Sequence, residues 1–163
     1  MIIFLKNNYT LEVDDFQFRC SIGKHGTVDD KIEGDLCTPK GIFKLERLFY
    51  RKDKVKLFKT NINSKIISKN MIWCNDVTSQ HYNQLTKYSK KFKHEKMYRN
   101  DYKYDYVISL SYNRNVIKKN KGSAIFIHLT KNYSPTSGCI AIKKKDFTIL
   151  LKLITKNTFI KIY

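Results

Sequence analysis

Small and helix-breaking residues are scarce in this chain of 163 residues, which has only 2 alanines, 2 prolines and 6 glycines. Arginine is scarcer still for so basic a protein, 5 against 27 lysines. No apolar run approaches the roughly 20 residues that cross a bilayer, so a helical membrane span is excluded and no membrane partner is expected. The N-terminal Met1-Ile-Ile-Phe-Leu5 falls short of a signal-peptide core of about 7–15 residues, and no small-residue cleavage site follows it. A cytoplasmic location is therefore expected. The four cysteines, Cys20, Cys37, Cys74 and Cys139, lie far apart with no C-x-x-C pair. That spacing excludes a zinc ribbon or a dithiol redox motif. No His/Cys/Asp/Glu spacing supports a metal, so neither metal nor cofactor is expected. Each thiol is expected to be reduced, and to serve either as a small buried side chain or as a nucleophile.

What is present is charge and aromatic bulk. The formal charge is +18, with 42% hydrophobic and 13% aromatic residues. That apolar content is enough for a proper core, and the length fits one domain over residues 1–163. The charge invites a nucleic-acid reading, because cations that neutralise phosphates dominate such affinity. Composition weakens it: 27 Lys, 19 Ile, 13 Asn and 11 Tyr have AT-rich codons, whereas the scarce Ala, Pro and Gly have GC-rich ones. Nucleic-acid readers also favour the bidentate fork of arginine. No nucleic-acid partner is expected, and a non-catalytic basic domain for nucleic acid or anionic glycan stands as the second class of reading.

The patterning is mostly β. Phe16, Phe18, Cys20 and Ile22 alternate with polar residues at the period of a half-buried strand. Upstream, 2–6 and 9–13 flank Asn7-Asn8 as a hairpin. Segment 23–41 holds four of the six glycines and Pro39, and reads as a long surface loop with His25 in a surface turn. Segment 41–50 resumes as a strand, and Ile62, Ile66 and Ile67 point to burial within a Lys/Asn-rich stretch. Runs 106–111 and 123–129 are β-branched and aromatic, as buried strands are. Asp146 is the expected N-cap of an apolar, helically spaced run with Lys152 and Lys156 late in it. Segment 158–163 reads as a last strand. A mainly β, β-dominated α+β fold with few helices follows.

The chemistry-bearing segment is 122–142, GSAIFIHLTKNYSPTSGCIAI. A strand is expected to end in His128, a ten-residue loop follows, and Cys139 comes directly after Gly138. A thiol nucleophile needs a base within hydrogen-bond reach and donors for a developing oxyanion. Gly138 allows close approach of a substrate carbonyl, and the N–H groups of Gly138 and Cys139 would serve as donors. A low-pKa thiolate is then expected to label quickly. On these residues alone, a structural histidine and an inert buried cysteine stand as the alternative.

At this point the sequence resembles a family, the L,D-transpeptidase (YkuD-type) catalytic domain, in which a histidine, a loop and an [ST]-x-G-C element form the site. Thr38, Pro39, Gly41 and Phe43 resemble the family's upstream T-P-x-G-x-F element. Trp73-Cys-Asn-Asp76 with Tyr82-Asn83, and 104–108 with Tyr112-Asn113, resemble segments of a short subgroup without signal peptides. In most of the family a histidine precedes the motif glycine, and Arg or Asn stands two residues after the cysteine. Here those positions are Ser137 and Ala141.

The resemblance implies a YkuD-like β-sandwich with one helix near the C-terminus. It implies acyl transfer on peptidoglycan stem peptides, with Cys139 as nucleophile, His128 as base and Gly138 at the oxyanion. Ser137, Trp73, Tyr112 and Asn113 are the expected substrate-binding residues, with core packing or turn chemistry an equal alternative for the last three. The favoured outcome is L,D-carboxypeptidase action on recycled muropeptides, with cross-linking L,D-transpeptidation as the alternative. A monomer is expected, cytoplasmic or, if exported by another route, periplasmic.

Overall fold

The computed structural model describes residues 1–57 and 59–163. It is 40% strand and 6% helix, mainly β as the patterning predicts. In chain order the strands are β1 (Ile2–Lys6), β2 (Thr10–Val13), β3 (Phe16–Ser21), β4 (Thr27–Val28), β5 (Thr38–Pro39), β6 (Gly41–Tyr50) and β7 (Ser64–Ile66). There follow β8 (Met71–Cys74), β9 (Leu85–Lys87), β10 (His94–Lys96), β11 (Tyr106–Leu110), β12 (Phe126–Thr130) and β13 (Ile140–Lys143). Helix α1 (Lys144–Leu153) and β14 (Phe159–Ile162) complete the chain.

Nine strands form one sheet in the order β11-β12-β13-β3-β2-β1-β14-β6-β7, and a further β11–β6 pairing closes it on itself. The long strand β6 makes this possible. Its first half pairs with β14 and its second with β11. The Asn7-Asn8 turn joins β1 to β2 with both residues in the left-handed region, φ 52° and 59°, where asparagine is tolerated better than most residues. A smaller sheet, β10-β8-β9, stands apart from the ring.

Alternation along the central strands then makes two cores. Tyr106, Ile108 and Leu110 of β11, with Ile127 and Leu129 of β12, enter the main core together with Phe147, Leu150 and Leu151 of α1. Val107 and Phe126 face the other way. There they meet Phe49, Met71, Trp73, Met97 and Tyr104 in a second core, against which Ala124 and Cys139 pack. Trp73 sits edge-on to Phe126, with ring centroids 5.0 Å apart. This second core joins the small sheet to the closed one, and the reactive residues lie beside it.

Several expectations need local correction. The helix starts at Lys144 with Lys143 as N-cap and no side-chain cap, so Asp146 is a first-turn residue and Lys156 lies beyond the helix. Asp146 still complements the helix dipole from there. Phe16 and Ile66 are exposed rather than buried, whereas Phe18, Cys20, Ile62 and Ile67 are in the interior.

Phe147 is fully buried and stacks on Tyr106 at 5.5 Å, interplanar angle 14°. Phe147→Ala is expected to cost about 3–5 kcal/mol in urea unfolding, because the void lies where helix and closed sheet meet. A cost under about 1 kcal/mol would mean that the helix docks elsewhere.

Candidate functional site

Strand β12 carries His128 on the same face as Phe126, and the parallel β12–β13 register sets His128 opposite Ala141 and Ile127 opposite Ile140. Cys139, one residue before β13, therefore arrives beside the start of β12. Cys139 and His128 both line a cavity of about 630 Å³, together with Gly138, Ser137, Tyr104, Lys31, Glu33, Glu95, Arg99 and Lys103.

The histidine is oriented by backbone. Its Nδ1 lies 3.0 Å from the Leu129 carbonyl oxygen, which can only accept, so Nδ1 carries the proton and Nε2 is the free acceptor. The Tyr104 ring packs on the imidazole with centroids 5.4 Å apart. Burial lowers the His128 pKa to about 4, and the Leu129 carbonyl opposes that shift.

The thiol is held just as closely. Cys139 Sγ donates to the Ala124 carbonyl at 3.2 Å. Burial pushes its pKa up to about 12; the Phe126 backbone N–H opposes this, Glu95 adds to it, and Lys31 opposes it. The expectation of a low-pKa, fast-labelling thiolate is therefore corrected. Low dielectric penalises the ion in both groups, so the resting pair is neutral thiol and neutral imidazole.

The glycine before the cysteine has a specific reason to be glycine. Its φ is +139°, and a Cβ there would meet the Cys37 carbonyl oxygen at 2.7 Å. Thr38 fixes this approach: its hydroxyl donates to the Gly138 carbonyl at 2.8 Å and accepts from the Gly23 N–H at 2.9 Å. The T-P element thus clamps the catalytic loop across 100 residues of sequence. Of the two expected oxyanion donors, the Gly138 N–H already bonds Thr136 Oγ1 at 3.1 Å, which leaves that of Cys139 as the candidate.

Ser137 lines the cavity, but Trp73, Tyr112 and Asn113 do not. Their expected place on the groove wall is corrected. Trp73 is buried and donates through Nε1 to Asn83 Oδ1 at 2.9 Å. The Tyr112 hydroxyl bonds the Lys121 carbonyl, and its ring sits edge-on to Phe43. The Asn113 side chain closes its own loop on Lys118 and Gly122. All three act on the site at one remove, through Asn83, whose Oδ1 also accepts the Ala124 N–H at 3.1 Å.

Sequence reasoning missed the charged lining. Lys31 was absorbed into an apparent surface loop, yet it is 3% exposed and bonds Asp35 at 2.5 Å and the Cys37 carbonyl at 2.8 Å. Its one signal is the D-x-C-T-P spacing that puts Asp35 just before the matched element. Glu95, Arg99, Lys103 and Tyr104 come from a Lys-rich stretch whose composition hides them.

Two measurements follow. Alkylation of Cys139 by iodoacetamide, read by mass spectrometry, should accelerate about tenfold per pH unit from pH 7 to 9. A plateau near pH 6–7 would reveal a resting ion pair instead. For His128, the unfolded state takes up the proton near pH 6.5 and the folded state only near 4. Stability should accordingly be full above pH 6.5 and fall by about 3 kcal/mol as the pH drops to 4. His128→Gln should remove that fall from urea midpoints measured across the window; an unchanged slope would place the linkage elsewhere.

Comparison with known proteins accords with this geometry. The family model of the YkuD L,D-transpeptidase catalytic domain matches residues 2–162. No curated protein matches the sequence. The structure of Bd1075 from Bdellovibrio bacteriovorus aligns with a TM-score of 0.52 at 16% identity, covering 99% of this chain and 47% of that one. The helical cell shape determining protein Pgp2 from Campylobacter jejuni aligns with a TM-score of 0.54 at 18% identity, covering 99% and 46%. The chain spans just under half the length of these structures, and at such identities the likeness is one of fold. The family match, by contrast, takes in nearly every residue, including Cys139, His128 and the Thr38 clamp: the chain belongs to the YkuD family of L,D-transpeptidase catalytic domains.

Proposed function

We propose that this chain is a cysteine-dependent acyl-transfer enzyme acting on the L,D bond between a diamino acid and D-Ala in peptidoglycan stem peptides. The observation that carries the proposal is the shared cavity, in which Cys139 and a tautomer-fixed His128 stand together. Family membership supports the substrate class. So does the fold shared with a protein described as determining helical cell shape.

In the first half-reaction the Cys139 sulfur bonds the carbonyl carbon at the L-centre, and the thiol proton passes to His128 Nε2. The C–N bond then breaks, and His128 returns the proton to the departing D-Ala amine. In the second half-reaction a nucleophile replaces sulfur and the thiol is restored. With water as that nucleophile, the outcome is L,D-carboxypeptidase trimming. We favour water because it needs no second peptide site, whereas an amine acceptor must bring a whole strand to the thioester. Trimming of recycled muropeptides in the cytoplasm is the setting in which this outcome would serve.

Incubation with a disaccharide tetrapeptide, followed by mass spectrometry, tests this directly. The expected products are the disaccharide tripeptide and free D-Ala, both abolished in Cys139→Ala. Cross-linked dimers without tripeptide would replace trimming by transpeptidation. No reaction, combined with steeply salt-dependent retention on nucleic acid, would favour a basic binding domain.

A further inference from the structure

Three cations line the cavity: Lys31, Arg99 and Lys103. Two of them are already committed. Lys31 Nζ bonds Asp35 Oδ1 and the Cys37 carbonyl, and its stem is wedged against Gly122, where a Cβ would meet it at 2.8 Å. Arg99 pairs with Glu95 at 3.0 Å and with Asp101 at 2.7 Å, and its guanidinium lies over the Tyr104 ring. Lys103 differs. It forms no ion pair among the described residues, its side chain makes no hydrogen bond there, and the residue is exposed.

Its place is fixed relative to the base. The Lys103 carbonyl accepts the Leu129 N–H at 3.0 Å, and the Leu129 carbonyl orients His128. Residue 103 is thus hydrogen-bonded to the residue that follows the histidine, and its charge is felt at the imidazole.

The chemistry of the leaving group gives this position a meaning. His128 must come within hydrogen-bond reach, roughly 3 Å, of the amine it protonates. When the departing residue is the last of the chain, its carboxylate is borne by the carbon next to that amine, so an oxygen lies roughly 3 Å further on. A carboxylate must therefore settle within a few ångströms of His128, in a cavity that burial has made hostile to unpaired charge. A cation that forms no ion pair among the described residues, on a flexible stem and with its backbone bonded to the residue after that histidine, matches the requirement, although Asp101 accepts from its own N–H at 3.0 Å. Lys31, by contrast, lies against Gly138 and its charge is felt at Cys139, where the acyl carbonyl belongs.

Building on the proposed L,D cleavage, we infer that Lys103 binds the free α-carboxylate of the departing C-terminal residue and so selects peptide ends over internal bonds. The occupant is a terminal carboxylate of a D-amino acid. Arg99, tied down by two acids, shapes the wall beside it.

The test uses two disaccharide tetrapeptides that differ only at the C-terminus, one a free acid and one a carboxamide, with kcat and KM measured for both. Wild-type protein should prefer the acid by about 10- to 100-fold in kcat/KM, the range of a charge-assisted hydrogen bond, mainly through KM. In Lys103→Met the ratio should fall towards 1, and Lys103→Arg should restore most of it. Equal losses on acid and amide in Lys103→Met, or a wild-type protein indifferent to the terminus, would overturn the assignment while leaving the cleavage reaction standing. Cleavage of neither peptide by the wild type would remove the L,D-cleavage proposal, and the Lys103 assignment with it.

Discussion

The site depends on one buried amide. Asn83 sits in the left-handed region at φ 56°, 1% exposed, and its side chain satisfies four partners at once. Oδ1 accepts from Trp73 and from the Ala124 N–H, while Nδ2 donates to the Tyr112 and Asn113 carbonyls. Those partners belong to strand β8, to the turn after β11 and to the residue whose carbonyl takes the Cys139 thiol hydrogen bond. An amide offers two acceptor sites and two donors, so Asn83 is used to its full capacity. A buried polar group so fully paired specifies one arrangement, because any other would leave a donor or acceptor stranded. Ala124 itself, at φ 53°, holds a left-handed conformation that a side chain with no local hydrogen-bonding group seldom adopts, and its N–H bond to Asn83 holds it there.

Around this anchor the site is arranged to keep ions out until substrate arrives. Burial raises Cys139 and lowers His128, which is the direction expected of groups in a low-dielectric pocket without a charged partner. Charges in the lining then act in opposition, Glu95 against the thiolate and the buried Lys31 for it. Tyr104 links the two halves, packing on His128 while its hydroxyl is held well above its usual pKa by burial and by the nearby Cys139 and Glu95. A site built in this way resists adventitious oxidation and alkylation at rest, since the reactive form of a cysteine is the thiolate. In the proposed acyl transfer, reactivity would then depend on a substrate that replaces water and draws the proton to Nε2 as the new bond forms.

The fold was legible where burial follows a short period. Strand β3 was legible from its alternation, β11 and β12 from β-branched and aromatic runs, and the C-terminal helix from its spacing, although β12 runs Phe126–Thr130 and the helix starts at Lys144. The Asn7-Asn8 turn was legible for the same local reason. Cys139, His128 and Gly138 were legible as a motif, and they do line one cavity. Illegible were the interactions that join distant segments. Thr38 reaches Gly138 across 100 residues, and Lys31 lies buried beneath the same loop in a stretch whose glycines and charges imitate a solvated surface. Trp73, Tyr112 and Asn113 were read as substrate contacts because polar and aromatic residues in matched segments serve either purpose. Only the pairing of their polar atoms shows that the protein itself is the partner.

The excess of lysine acquires a different meaning at this scale. A net charge of +18 describes a field around the molecule, and fields of that kind steer anions without selecting among them. Selection needs a cation that no acid has already paired. Lys6, Lys31, Lys40, Lys54 and Lys121 all have a carboxylate at hand, and in the cavity Arg99 has two. The distribution of the acidic residues, fewer than half as many as the basic ones, therefore decides which lysines are free to meet a ligand. Along the wall that carries His128 they pair with Arg99, while Lys103 forms no ion pair among the described residues, and the proposed capture of a terminal carboxylate rests on that placement of the few acids.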